Sequence, residues 1–235
     1  MKHSSPPKRT SLLLAMLLAL TMPAQAEAPP SPAKLFEDCK VAAEKGTPSA
    51  QFAVGLGYLN GVGVAVDEAK GVMWLRQAGE QGHLQAQFFL ASCYVKGMGC
   101  EKDQAEAVKW FRKAAEQGHP RAQFELGYCY WSGKGVEVDK ALAAPWLRKA
   151  SAQGVVDAHF VLGACYRFGR GVPKDLVEAY AYYILSELAS DDPRKLLLDL
   201  LKEKMTPEEI AKGELRAKEL KSEIQARLAS KPAGK

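Results

Sequence analysis

The 235 residues leave room for one or two domains, and 32 basic against 27 acidic residues give a net charge of only +5. Setting aside the first 26 residues removes three cations and no anion, so the balance falls to 29 against 27, or +2. So even a balance argues against nucleic acid as a partner, because such binding rests on clustered Lys and Arg.

Residues 1–26 read as a secretory leader. A basic start (Lys2, Lys8, Arg9) precedes the apolar run Leu12–Leu20, then the helix breaker Pro23 and the small-residue site Ala24-Gln25-Ala26, so cleavage falls before Glu27. The apolar run of nine residues is too short for the roughly 20 that span a bilayer. No cysteine follows it directly; Cys39 lies 13 residues beyond Ala26. The expected product is soluble, without a membrane span, and periplasmic or secreted. Residues 27–32 are expected to be disordered.

From there the chain repeats itself. Ala50, Ala86, Ala122 and Ala158 are 36 residues apart, as are Tyr58, Tyr94, Tyr130 and Tyr166, and Asp67, Asp103, Asp139 and Asp175. Two glycine series keep the same step: Gly61, Gly97, Gly133, Gly169 and Gly63, Gly99, Gly135, Gly171. Self-similarity at such a period marks a stacked array. In the second copy, Ala86, Leu90, Ala91 and Tyr94 have the spacing of one helix face. Gly97-Met98-Gly99 stops that helix, because glycine enters left-handed conformations cheaply. Asp103 stands where an N-cap belongs. Ala107, Trp110, Phe111, Ala114 and Ala115 share one side of a second helix, and Gly118 ends it.

The pattern resembles the Sel1-like repeat, a 36-residue relative of the tetratricopeptide repeat. The third copy carries it in full, from Ala122-Gln-Phe-Glu-Leu-Gly-Tyr-Cys-Tyr-Trp-Ser-Gly-Lys-Gly-Val-Glu-Val-Asp139 through Trp146, Ala150 and Gly154. The resemblance implies an all-α, right-handed solenoid. Copies run 50–85, 86–121, 122–157 and 158–193, after a half-repeat at 33–49 in which Ala42 and Gly46 lie one period before Ala78 and Gly82. Three departures stand out. Gly71 replaces the alanine of Ala107, Ala143 and Ala179; Pro145 lies inside a helix and should bend it; copy four closes on Ser190-Asp191-Asp192-Pro193 instead of glycine.

Residues 194–229 are expected to form a helical cap over the exposed end, which a solenoid needs for solubility. Leu196–Leu201 reads as a helix packed on copy four. Thr206-Pro207-Glu208-Glu209 is a capping box that starts a longer helix with the stripe Ile210, Ala217, Leu220, Ile224, Leu228. Residues 230–235 are expected to be a disordered tail.

Little in the chain points to catalysis. The G-x-G loops lie between helices, lacking the third glycine and the Lys-Ser/Thr of a phosphate cradle. His83 and His119 are one repeat apart, roughly 10 Å by helix packing, too far to share a metal with bonds near 2 Å; they read as surface turn residues. No cofactor or metal is expected. Cys93, Cys129 and Cys165 hold one repeat position and read as small apolar core residues, since stacked helices keep equivalent Cα atoms beyond disulfide reach. Cys100 stands in a loop where other copies have valine and could bridge to Cys93 or Cys129.

The candidate functional surface is the inner wall. In tetratricopeptide-like arrays, the side of the first helices opposite the Ala/Tyr stripe resembles the concave peptide-binding face. Carried through the copies it holds Phe52, Phe88, Phe124 and Phe160, with Tyr128, Trp131 and Phe168, flanked by Lys96 and Arg167. An aromatic row in a groove suits a protein or peptide partner; the alternative is that curvature buries the phenylalanines as core. Tyr128, Trp131 and Arg167 vary between copies and form the sharper site, with Arg167 one period beyond Trp131. The expected function is an exported adaptor scaffold. Two rivals are an inert spacer and a weak β-lactam hydrolase, an activity that the resemblance to cysteine-rich secreted Sel1-like proteins implies. Those proteins have a regular cysteine pair in each repeat, whereas this chain has a single irregular series.

Overall fold

The computed structural model describes residues 30–186 and 195–230. The expected leader, residues 27–29, the 190–193 end of copy four and residues 231–235 lie outside them. Among the described residues there are eleven helices and no strand. A leading helix α1 (Pro32–Glu44) precedes four helix-turn-helix units: α2 (Pro48–Asn60) with α3 (Glu68–Glu80), α4 (Leu84–Lys96) with α5 (Gln104–Glu116), α6 (Pro120–Ser132) with α7 (Lys140–Ser151), and α8 (Val156–Phe168) with α9 (Leu176–Leu185). Then come α10 (Lys195–Lys202) and the long α11 (Pro207–Ser230). Each helix packs on the next through α9, and α11 lies along α9, so the chain is an α-solenoid closed by a C-terminal helix. Pro32 and Ser230, expected to be disordered, instead open α1 and end α11.

The repeat grammar has a mechanical reason at each position. Gly61, Gly97, Gly133 and Gly169 are left-handed caps that stop the first helices. The second glycine of each loop does something different. A Cβ at Gly63, Gly99, Gly135 or Gly171 would overlap a backbone carbonyl of the preceding unit, that of Pro32, Glu68, Gln104 or Lys140. The loop of one copy therefore docks backbone to backbone on the second helix of the copy before. Asp67, Asp103, Asp139 and Asp175 then cap the second helices, accepting N–H bonds of 2.8–3.0 Å. Their own N–H groups donate to the carbonyls of Tyr58, Tyr94, Tyr130 and Tyr166, which closes the loop.

Two side-chain ladders tie copy to copy. Buried Gln51, Gln87 and Gln123 each donate to a carbonyl of the previous second helix, at Ala43, Gly79 and Ala115 (2.9–3.2 Å). Each also accepts from the glutamine that ends its own unit, Gln81, Gln117 or Gln153, at 2.7 Å. One amide thus satisfies polar groups of three helices in the interior. In copy four the pair is rewritten as Ser151 Oγ and His159 Nδ1, 2.9 Å apart. In the second ladder Arg76, Arg112 and Arg148 donate to the hydroxyls of Tyr94, Tyr130 and Tyr166.

The expected helix faces are the core: Ala86, Leu90, Ala91 and Tyr94, and Ala107, Trp110, Phe111, Ala114 and Ala115, are all buried. Helix α7 runs through Pro145, which faces solvent. At the C-terminus Thr206 and Glu209 form the expected reciprocal cap. Ala217 and Leu220 of the expected stripe are buried, whereas Leu228 is exposed. Helix α10 packs on copy four as expected, with Leu201 buried and Leu198 half-buried in one cluster with Tyr180 and Tyr183, while Leu196 stays 62% exposed.

Candidate protein-binding surface

The phenylalanine row is packing, not an open groove. Phe124 is buried at 9% exposure, and Phe160 packs on Tyr183 with ring centroids 5.4 Å apart. Phe52 and Phe88 are half-buried, stacked under His83 (4.8 Å) and His119 (4.5 Å). Those histidines are more than turn residues. Each Nδ1 caps the next first helix, accepting the N–H of Ala86 or Ala122 at 3.2 Å. Burial lowers both imidazole pKa values. Cap and ring stack come from one side chain, which is why the phenylalanine beneath it is covered. Phe89, adjacent in sequence and touching both Phe52 and Phe88, is the exposed aromatic of this region; no repeat position marked it.

Copy three is built otherwise. Its closing turn has Val155 where the earlier copies have histidine, and Phe124 stacks instead on Tyr128, which stacks on Trp131, each step 5.9 Å. Tyr128 and Trp131 are half-buried. Lys134 stands 5.0 Å from the Tyr128 ring and Lys140 5.7 Å from Trp131, so cations meet both aromatic faces. The Trp131 indole Nε1 is buried without a hydrogen-bond partner among the described residues. Beside Tyr128 opens a cavity of about 380 Å³ whose wall includes Phe111, Glu125, Lys102 and Lys134. Burial pushes the Glu125 carboxyl pKa up, although Arg121 is 3.8 Å away.

Arg167 does not join this pair. Its guanidinium lies over Phe168, 5.1 Å from the centroid, with Arg170 on the same ring at 4.9 Å and Phe168 itself 53% exposed. The cation expected one period beyond Trp131 is supplied instead by the lysines of copy three. A signal for them existed: position 134 and its equivalents read Val62, Met98, Lys134, Arg170, and position 140 and its equivalents read Glu68, Gln104, Lys140, Leu176. Lys96 is exposed at the end of α4.

The possible bridge from Cys100 to Cys93 or Cys129 is not formed; all five cysteines are free thiols. Burial pushes Cys93, Cys129 and Cys165 up to about 11, which keeps the reactive thiolate scarce. Ser31 and Lys34 have the spacing of a serine-hydrolase S-x-x-K pair, but the Ser31 hydroxyl is an exposed helix cap accepting the Lys34 N–H at 3.3 Å. No helix of the described residues is long and apolar enough to cross a membrane.

Comparison with known proteins agrees with this architecture. The family described as Sel1 repeat matches residues 48–83, 84–119, 120–155 and 156–190. A Sel1 repeat protein from Oxalobacter formigenes is similar in structure (TM-score 0.66) at 30% identity, over 80% of this chain and 79% of that one. A protective antigen of uropathogenic Escherichia coli with an SLR fold is similar at TM-score 0.54 and 30% identity, over 86% of this chain and 52% of that longer chain. Among curated proteins no sequence matches significantly. Four consecutive matches over more than half the chain, on units whose caps and inter-repeat bonds repeat with them, establish that this protein belongs to the Sel1 repeat family.

Proposed function

We propose that this chain is an exported scaffold that binds a protein or peptide partner on its concave face, anchored at Tyr128 and Trp131. Sel1 repeat proteins in general mediate protein–protein interaction and are not enzymes as a class. The observation that supports this surface is the Trp131 N–H, buried within a stacked aromatic pair and without a partner among the described residues. A buried donor left unpaired costs about 1–3 kcal/mol, which an incoming carbonyl or carboxylate would recover. Aromatic anchors ringed by polar groups are also the composition of binding hot spots. Direct contact between α6 and α8, both first helices, supports an inner, concave location for this face. Lys134 and Lys140 favour a partner segment that is acidic next to an apolar residue.

Trp131→Ala should weaken partner capture by more than about 1 kcal/mol. The melting temperature should fall only modestly, because the indole packs at the edge of the core and not within the Ala, Leu and Tyr stripe between helices. Unchanged capture sinks the reading; so does a collapse in melting temperature. Export rests on the order of basic, apolar and Ala-Gln-Ala segments before Glu27. N-terminal sequencing of protein from the envelope fraction should begin at Glu27, and a chain starting at Met1 would overturn export.

A further inference from the structure

The cap helix encloses a second cavity, on the side of the second helices and independent of Tyr128 and Trp131. Helix α11 crosses α9 and reaches the end of α7, where Ile224 and Leu228 lie against Gly154. Between these elements is a space of about 610 Å³, within the range of small-ligand sites. Leu220 and Ile224 of α11 give it an apolar wall, while Arg148, Tyr166, Tyr182 and Arg227 bring polar groups to the other sides.

The cavity lining carries Arg148, Arg216 and Arg227 against only Glu178 and Glu223. Arg216 is saturated by Glu178 at 2.8 Å, Glu219 at 3.3 Å and Glu223 at 3.5 Å. Arg148 donates to the Tyr166 hydroxyl at 2.8 Å but has no carboxylate partner among the described residues. Arg227 makes no ion pair among them either. Two guanidinium groups from different helices are left to face one cavity.

Tyr182 supplies a third donor. Its counterpart two copies earlier is Trp110, whose indole N–H is satisfied by Glu106 at 3.0 Å. Seventy-two residues on, the same pair is Glu178 and Tyr182, but Glu178 has been drawn to Arg216 of the cap. Tyr182 is only 7% exposed, lines the cavity, and its hydroxyl makes no hydrogen bond among the described residues. Burial holds that hydroxyl protonated, with its pKa pushed up to about 12, so it can only help an acceptor.

We propose that this cavity binds the free C-terminal carboxylate of a peptide ending in an apolar residue, with Arg148, Arg227 and the Tyr182 hydroxyl as its donors. A forked guanidinium suits a carboxylate bidentately. Glu178 and Glu223 in the same wall repel a dianion such as phosphate. Their oxygens can also accept the amide N–H next to the carboxylate, a group that a simple fatty acid lacks. Leu220 and Ile224 receive the terminal side chain.

The test is titration of the full chain with acetyl-Gly-Ser-Ala-Leu as the free acid, the same peptide amidated, and octanoate. The acid should bind, and Arg227→Gln and Tyr182→Phe should each weaken it about fivefold or more. The amide should bind the unaltered protein no better than the acid binds Arg227→Gln. Arg227 is exposed, so that variant should fold normally. The proposal is overturned if acid and amide bind alike, if neither binds, or if octanoate binds as tightly as the acid.

Discussion

Two glycines of adjacent copies show how much a single position can carry. Gly82 and Gly99 both have positive φ, 86° and 64°. A Cβ at Gly82 meets nothing within 4 Å, whereas one at Gly99 overlaps the Glu68 carbonyl of the neighbouring copy. Gly82→Ala should therefore cost only the left-handed penalty, about 1–2 kcal/mol. Gly99→Ala should cost about 3 kcal/mol or more, because two backbones must separate. Urea unfolding of the two variants checks the difference; equal losses would mean that the loop does not dock as described. His83 and His119 make a pH-dependent contribution with a definite sign. Their pKa values are lowered in the folded state, so the unfolded chain takes up protons first. Their stabilisation is complete above the ordinary histidine pKa of about 6.5 and is lost as pH falls below it. Protonation removes the Nδ1 acceptor and sets a cation on a helix N-terminus, costing about 1 kcal/mol per cap. The melting temperature should drop between pH 7.5 and 5.5, and drop less in the His83→Asn/His119→Asn variant, whose caps do not titrate. The phenylalanine column was legible as a column, but its burial was not. For Phe52 and Phe88 the cover comes from histidines 31 residues further along, in turns whose side-chain direction no periodicity reports.

At the scale of helices, the Gln51, Gln87 and Gln123 ladder explains why a polar residue recurs at an interior position. Each amide joins the second helix of one copy to both helices of the next. Gln87→Met keeps the volume but strands the Gln117 amide and leaves the Gly79 carbonyl with only its backbone donors, at a cost of about 1–3 kcal/mol. Hydrogen exchange should rise at α3 and α4 and leave α8 and α9 unchanged; a uniform rise would show that the copies unfold together. The helix pairs, the aspartate caps of the second helices and the Thr206 start of α11 were readable from spacing, because each follows from local chemistry; the histidine caps of the first helices were not. The path of α11 was not. It depends on Arg216 reaching Glu178 and on Gly213 lying against Tyr180, contacts 38 and 33 residues apart with no repeat to announce them.

The whole molecule is an array in which each unit buries its faces on its neighbours, so damage should stay local. Trp110 is buried between units, and Trp110→Ala should cost about 3–5 kcal/mol and loosen copies two and three before copy four. The period itself was the most legible feature, since four copies without insertion state the same geometry four times. Binding surfaces are written in the departures from that period, and a departure shows where a copy differs without showing what its side chain touches. Arg167 illustrates this: its position placed it beside Trp131, and its side chain lies over Phe168. The central claim, that a partner docks at Tyr128 and Trp131, is tested most directly by site-specific crosslinking in the envelope. Lys134→benzoylphenylalanine puts a photoreactive ring beside the Tyr128 face, and Met73→benzoylphenylalanine puts one at an exposed position on α3. The account predicts one discrete crosslinked protein from position 134 and none from 73, lost again when Trp131→Ala is added. Crosslinking from 73 alone, or from 134 regardless of Trp131, would contradict it.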